Sequence, residues 1–332
     1  MEEKQHLQIR FFDRIKQAVP SGVSLVDDVS EVLNISNDSV YRRLRNETSI
    51  TVDEVATLCN HYGISFDLFA KNSDTIAFGY DEMGSASGFK HYLESLLDDM
   101  RRIKKAENGQ IIWAAIDVPI FHHFNYPLLS AFKMFYWMKA IVDVPFLAKE
   151  KFSPKLISEE LSNLGKQIYK TYCEIPVIEI WTDETINGLL KQIEFFWDSG
   201  NFNSKEDAIA VCEDAKNELN TIMKQAEMSN QLLTGNEKGK TNYKMYQCDI
   251  EIGNNCIFTR QTDIETVYLS VHTFNKIKTT NKTFVGQTNV WLDNLMKKST
   301  LISGVSQKNR YRFFKKAKQK IERLYNKIES EG

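Results

Sequence analysis

The sequence has few of the features that mark secreted, membrane-spanning or metal-binding proteins. Its five cysteines are widely spaced and form no CxxC pair, which predicts reduced thiols and a cytoplasmic protein rather than a disulfide framework. The first ten residues are charged and lack the apolar core of a signal peptide. Charged residues interrupt the two longest apolar stretches, at 111–121 and 128–148, so neither stretch predicts a membrane span.

Common catalytic motifs are also missing. The 332 residues contain no P-loop, no GxSxG nucleophile motif and no HExxH zinc motif. We therefore expect no catalytic residue, no metal and no cofactor, although pairs of carboxylates such as Glu159 and Glu160 are present. An enzyme or defence-type effector that carries a DNA-targeting module remains an alternative.

The chain also lacks a large excess of charge of either sign. It has 42 Lys or Arg and 44 Asp or Glu, a net charge of -2. This balance excludes a protein that coats nucleic acid with its whole surface, so any such surface must be local. The content of 42% hydrophobic and 26% charged residues indicates a globular protein, and its length predicts two or three domains.

Composition and periodicity divide the chain into three parts. Residues 1–72 predict an all-α domain, and the glycine- and serine-rich segment 73–88 predicts a linker. Residues 89–330 predict a larger, mainly helical α+β domain for sensing or dimerisation. Alternating runs at 243–252, 255–261 and 264–272 predict a small antiparallel meander, and the apolar run 111–116 predicts a further strand.

The N-terminal part has strong signals for the ends of four helices. Residues 5–18 carry apolar side chains at helical spacing and are followed by a break at 20–22. Ser24 predicts the cap of a second helix, and a third helix begins at Asn37 or Asp38 after the short turn 34–36. Thr51 and Glu54 predict a capping box that opens a fourth helix. A three-residue turn holds the third helix across the second and makes its N-terminal end protrude.

This pattern resembles the Cro and phage-repressor type (XRE-like) helix-turn-helix family. The runs VSEVLNISNDSVYRRLRNE and ITVDEVATLCNHYGISFDLF carry the resemblance, which covers about residues 5–70. The family's positioning helix and turn correspond to Val29 through Ser36, with Asn34 where glycine is common, and its closing segment corresponds to Val55 through Phe69. The resemblance implies a lambda repressor-like domain that binds double-stranded DNA in transcription regulation.

The polar residues of the third helix are the candidate DNA contacts. Asn and Arg can bond to base edges, and Arg, Ser and Tyr can bond to phosphates. An aspartate there either stabilises the helix N-terminus or accepts from a cytosine amine. The family's apolar position is shifted by one here, which leaves open which arginine faces the groove. The candidates are Asn37, Asp38, Ser39, Tyr41, Arg42, Arg43 and Arg45.

Charge bears on how such a domain would bind. Residues 1–72 hold eight Lys or Arg and eleven Asp or Glu, a net charge of −3. Non-specific affinity depends on phosphate neutralisation and should be modest for one copy. We therefore expect a homodimer that presents two third helices to adjacent half-sites. The alternative is a protein-interaction adaptor whose helical module never meets DNA.

Three features of the large domain admit two interpretations each. His122 and His123 suggest either a metal site with Asp117 or, as we favour, core or surface histidines. The segment 297–327, with eleven Lys or Arg against one acid, predicts either a second nucleic-acid contact or an amphipathic helix with solvated lysines; we favour the helix. The aromatic run at 132–137 indicates core, or a pocket for an unknown small-molecule effector.

Overall fold

The computed structural model describes residues 6–19, 23–64, 66, 76–80, 85–232, 242–271 and 275–331. The chain divides into two compact units, 1–77 and 78–332. In the segment predicted as a linker, Gly79–Tyr80 forms a strand of the large unit's sheet and a helix begins at Ala86. The predicted boundaries at 72 and 89 otherwise stay predictions. None of the helices in the described ranges is long and apolar enough to cross a membrane.

The described part of the small unit contains four helices. They are α1 (Leu7–Ala18), α2 (Leu25–Leu33), α3 (Asn37–Leu44) and α4 (Val52–Tyr62). One apolar cluster holds them together because each helix contributes side chains to it. Its buried members are Phe11, Phe12, Ile15, Val29, Val40, Leu58 and Ile64.

The predicted helix ends of the small unit are confirmed. The Ser24 side chain accepts a hydrogen bond from the Asp27 amide, and Thr51 and Glu54 form the predicted capping box. Asn34 ends α2 with a left-handed backbone, φ 51°, a conformation that asparagine tolerates better than most residues. Three residues therefore separate α2 from α3, as predicted. The predicted break at 20–22 lies outside the described residues.

The large unit contains one mixed eight-stranded sheet, so the prediction of a small antiparallel sheet is wrong. The strand order is β1-β7-β6-β5-β2-β3-β4-β8. The central strands β2, β3 and β4 are parallel, and the remaining pairs are antiparallel. The strands are β1 (Gly79–Tyr80), β2 (Gln110–Ala115), β3 (Val177–Trp181), β4 (Tyr243–Gln247), β5 (Cys256–Gln261), β6 (Ile264–Val271), β7 (Asn275–Thr279) and β8 (Thr300–Leu301).

The predicted meander is correct only in its second half. Strands β5 and β6 pair as a hairpin, but β4 pairs with β3 and β8 instead of β5. Strand β3 was not predicted because its short apolar run VIEIW has no periodicity that separates a buried strand from a helix segment. Each of β1 and β8 is two residues long, too short to carry a pattern.

Helices cover both faces of this sheet. Alternate residues of β2 belong to two separate apolar clusters, one of which includes α11. Phe132 and Phe135 are fully buried in the other cluster and Trp137 is 3% exposed, which favours the core interpretation for most of the aromatic run. The helices are α5 (Ala86–Lys105), α6 (Ile120–His123), α7 (Pro127–Tyr136), α8 (Glu159–Tyr172), α9 (Asn187–Asp198), α10 (Lys205–Met228), α11 (Lys282–Lys297) and α12 (Gln307–Glu331).

Candidate nucleic-acid interface and a cleft in the large unit

One face of α3 is exposed and polar. Val40 points into the core with no exposed surface, whereas Asp38, Tyr41 and Arg42 are exposed, Tyr41 by 49%. Exposed residues three and four positions apart share one face of a helix. Among the described residues, the side chain of Arg42 has no hydrogen-bond or ion-pair partner. This guanidinium is therefore available to a ligand outside the chain.

Two other candidates near the start of α3 already have partners. The Asn37 amide Nδ2 donates to Asp27 Oδ1 at 2.8 Å, and the hydroxyls of Ser36 and Ser39 lie 3.0 Å apart. The Ser39 backbone N–H also donates to Ser36 Oγ, which caps the helix. These exposed bonds fix the first turn of α3. They must be exchanged if Asn37 or Ser39 bonds to a base or phosphate.

Arg43 connects α3 to α4 within the small unit. Its Nη2 lies 2.6 Å from Glu54 Oε1, and its Nε donates to Glu54 Oε2 at 3.3 Å. Burial alone would raise the pKa of Glu54, but hydrogen bonds from the Thr51 backbone and Arg43 hold it below the ordinary 4.5. The Arg43 side chain is only 14% exposed. This internal ion pair occupies the Arg43 guanidinium, so a phosphate contact by Arg43 would have to break it.

Arg45 and Gln8 make the remaining side-chain contacts near the end of α3. Arg45 Nε lies 2.7 Å from Glu47 Oε1 in an exposed ion pair, which is weak in water. The buried Gln8 of α1 donates from Nε2 to the carbonyls of Arg43 and Thr48, and accepts from the Ile50 amide. It fixes the chain after α3. Sequence reasoning missed Gln8 because a single glutamine in an amphipathic helix carries no distinguishing signal.

The large unit has a buried hydrogen-bond cluster around Glu179, which has no exposed surface. Its Oε1 accepts from Tyr172 at 2.5 Å and lies 2.8 Å from His122 Nε2; its Oε2 accepts from Trp181 at 2.8 Å and Tyr243 at 2.9 Å. Burial raises the pKa of Glu179, but His122 and the hydroxyl donors more than offset this and lower it. The carboxylate is therefore a charged centre with all donors supplied internally.

His123 bonds to a different glutamate from His122. Its Nδ1 lies 2.7 Å from Glu218 Oε1, and burial raises the pKa of Glu218 to about 8. Burial also lowers the pKa of His123 well below its usual range. Both histidines lie on the short helix α6, and no cluster of three metal-ligating side chains occurs in the described ranges. The interpretation as core histidines is the one that the contacts favour.

A cleft beside His123 collects polar side chains from distant parts of the chain. It encloses about 500 Å³ of empty space, open solvent included. The cleft lies at the carboxyl end of β2, and Asp117 comes shortly after the end of this strand. The polar lining consists of Asp117, His123, Lys133, Gln192, Asn255, Ser270 and Lys276, and Trp113 and Trp137 contribute apolar walls.

Part of the basic segment at the C-terminus pairs with carboxylates of the large unit. Helix α12 buries one apolar stripe, and its lysines contact carboxylates: Lys316 lies 2.9 Å from Asp183, and Lys327 lies 2.9 Å from Glu194. Phe313 belongs to this buried stripe, whereas Tyr311 is 56% exposed. These contacts favour the amphipathic-helix interpretation over a second nucleic-acid surface.

Comparison of the chain with models of known protein families, with curated proteins and with solved structures found no match. Inferences about function therefore depend on the geometry of α3 and of the cleft.

Proposed function

We propose that this protein is a sequence-specific DNA-binding transcriptional regulator of the cytoplasm, whose large unit senses a signal or forms a homodimer. The observation that carries the proposal is the exposed polar face of α3 behind a three-residue turn, with the unpartnered Arg42 in its last turn. A helix presented in this way fits the major groove of B-DNA.

The contacts divide the seven candidate residues by role. Arg42 and Tyr41 are free to bond to a base edge or a phosphate, and Asp38 stabilises the helix N-terminus. Asn37 and Ser39 can join them by exchanging their exposed internal bonds. Arg43 holds α3 against α4 rather than contacting DNA. Arg45 reaches phosphate only by leaving Glu47.

A dimer would compensate for the acidic balance of the small unit. Two copies of α3 at half-sites about one helical turn apart would double the specific contacts without raising the net charge of either copy. The regulator proposal thus predicts that the bound DNA sequence has two-fold symmetry.

Selection from random duplex DNA with the purified full chain tests the proposal. We expect an enriched, two-fold symmetric sequence, and an Arg42→Ala variant that loses about 1–3 kcal/mol of binding free energy. Arg101→Ala, which removes an equal charge from an exposed arginine of the large unit, should leave binding unchanged. If the selection enriches no sequence, the adaptor alternative is favoured. If both variants lose the same binding free energy, Arg42 contributes only through its charge and makes no specific contact.

A second candidate, an enzyme carrying a DNA-targeting module, is favoured by the convergence of His123, Lys133 and Lys276 on one cleft. A buried histidine paired with a carboxyl group is a common proton-transfer arrangement. The two candidates differ in the fate of a small molecule that binds the cleft. A regulator returns it unchanged after prolonged incubation, as NMR of the recovered compound would show, whereas an enzyme converts it.

A further inference from the structure

Lys276 is a partly buried cation without a counter-ion. Its Nζ lies 5.2 Å from the centre of the Trp113 ring and 5.7 Å from that of Phe121. No carboxylate of the described residues lies within ion-pair distance of it, whereas Lys316 and Lys327 on α12 each have one. Burial, only partly offset by Asp99, lowers the pKa of Lys276 to about 8. Aromatic faces compensate a shielded ammonium only in part.

The same cleft holds two further side chains with unused hydrogen-bond donors. Lys133 is 6% exposed, and its Nζ donates to Gln192 Oε1 at 2.5 Å, which uses one of its three N–H groups. Asn255, also 6% exposed, accepts from Trp113 Nε1 and the Ile116 amide through Oδ1. These bonds fix the orientation of its amide. Its Nδ2 has no hydrogen-bond partner among the side chains and backbone that the structure describes.

The one carboxylate that lines the cleft is engaged elsewhere. A Cβ added to Gly188 would come 1.8 Å from Asp117 Oδ1, so this carboxylate packs directly against the first turn of α9. A helix N-terminus favours negative charge at that position. Neither lysine lies within ion-pair distance of Asp117 in the described structure. The cleft therefore has an excess of donors and positive charge.

The cleft also lies where the strand order reverses, because β3 and β4 follow β2 on one side and β5 lies on its other side. Strand β2 has the parallel strand β3 on one side and the antiparallel strand β5 on the other. In open α/β sheets, ligands bind in the crevice at the carboxyl ends of strands, where the strand order reverses.

We infer that this cleft binds a small organic oxyanion, a carboxylate or a phosphate, whose charged group is held by Lys133, Lys276 and the Asn255 amide. The oxyanion supplies the acceptors that these donors lack. Within the proposed function this anion is the effector. Its binding does not require DNA, so the inference is tested separately from DNA recognition.

The test titrates the full chain with sodium benzoate and with sodium phosphate, ionic strength being kept constant with sodium chloride. Tryptophan fluorescence reports binding because Trp113 and Trp137 line the cleft. We expect a saturable change at millimolar concentration with one probe, which also identifies the class of oxyanion. Lys276→Met should weaken this binding about tenfold or more, because a charge-assisted hydrogen bond is lost.

Lys278→Met is the matched control. Lys278 lies on the same strand and lines the adjacent apolar cavity between α5 and the sheet, but not this cleft. Circular dichroism confirms that both variants fold, and Lys276→Gln provides a second replacement if the methionine variant does not. Absence of saturable binding by both probes, equal affinity in the Lys276 variant, or equal loss in the Lys278 variant overturns the inference.

Discussion

The two units place their polar interactions differently. In the small unit, Arg43 and Glu54 join two helices near the surface, where their side chains remain 14% and 18% exposed. In the large unit, Glu179 has no exposed surface and accepts from four buried donors. A small domain buries a smaller fraction of its surface than a large one, so its ion pairs lie nearer to water.

This difference has a functional consequence. The polar bonds of the small unit orient a surface, and they leave Arg42 outside the internal network. Those of the large unit fix the interior beside the cleft, because His122 of the Glu179 cluster adjoins His123 of the cleft lining. Under the proposed function, the small unit would use its exposed polar face to contact DNA, and the large unit would use its cleft to bind a small molecule.

The largest expected effect comes from neutralising the buried centre. Glu179→Gln should lower the free energy of unfolding of the large unit by about 3–5 kcal/mol, because it leaves a buried charged partner uncompensated. Denaturant unfolding followed by tryptophan fluorescence measures this, since all five tryptophans belong to residues 78–332. Glu194→Gln, a half-exposed control on α9, should change little. Equal effects of the two replacements would refute the contrast between buried and surface groups.

Removing Arg43 should have an intermediate effect. Arg43→Ala breaks a charge-assisted pair that is largely shielded from water, and we expect the small unit to lose about 2 kcal/mol. Amide hydrogen exchange of α3 and α4 measures this local stability. Arg45→Ala, which breaks only an exposed pair, is the control. If both variants exchange alike, Arg43 does not hold the two helices together.

The Arg43–Glu54 pair also predicts a pH dependence. The pKa of Glu54 is lowered in the folded protein from the ordinary 4.5. The ionised carboxylate therefore contributes its full stabilisation of the folded state above that value. The contribution is lost as the pH falls through the lower folded pKa. In acid, the amides of α4 should therefore exchange at similar rates in the Arg43→Ala variant and in the unchanged protein. A difference that persists below this window would contradict the assignment.

The smallest effect should come from the helix cap. Thr51→Ala removes the hydroxyl that accepts from the Glu54 amide and should cost about 1 kcal/mol. Thr57→Ala is a matched control on the same helix, since the Thr57 hydroxyl bonds only to the Asp53 carbonyl one turn earlier. Thermal unfolding monitored through α4 amides compares the two. A larger loss in the Thr57 variant would show that the cap does not limit the stability of α4.

Local signals predicted the helices of the small unit and, in the large unit, strand β2 and the hairpin of β5 and β6, but not the order of the strands in the sheet. Ser24, Asn34 and Thr51 act on amides and carbonyls a few residues away, so their effect is visible in a short window of sequence. The partners of β4 lie at 177–181 and 300–301, and no local pattern specifies such pairing. The first half of the predicted meander was wrong for this reason.

The same contrast applies to the sites. The sequence by itself determined the polar face of α3 and the short turn before it, because helix ends and helical faces depend on neighbouring residues. Only the tertiary structure decided that Arg43 pairs with Glu54, and that Lys133, Asn255 and Lys276 meet at one cleft. Contacts between residues distant in the chain depend on how whole elements pack, which no single segment encodes.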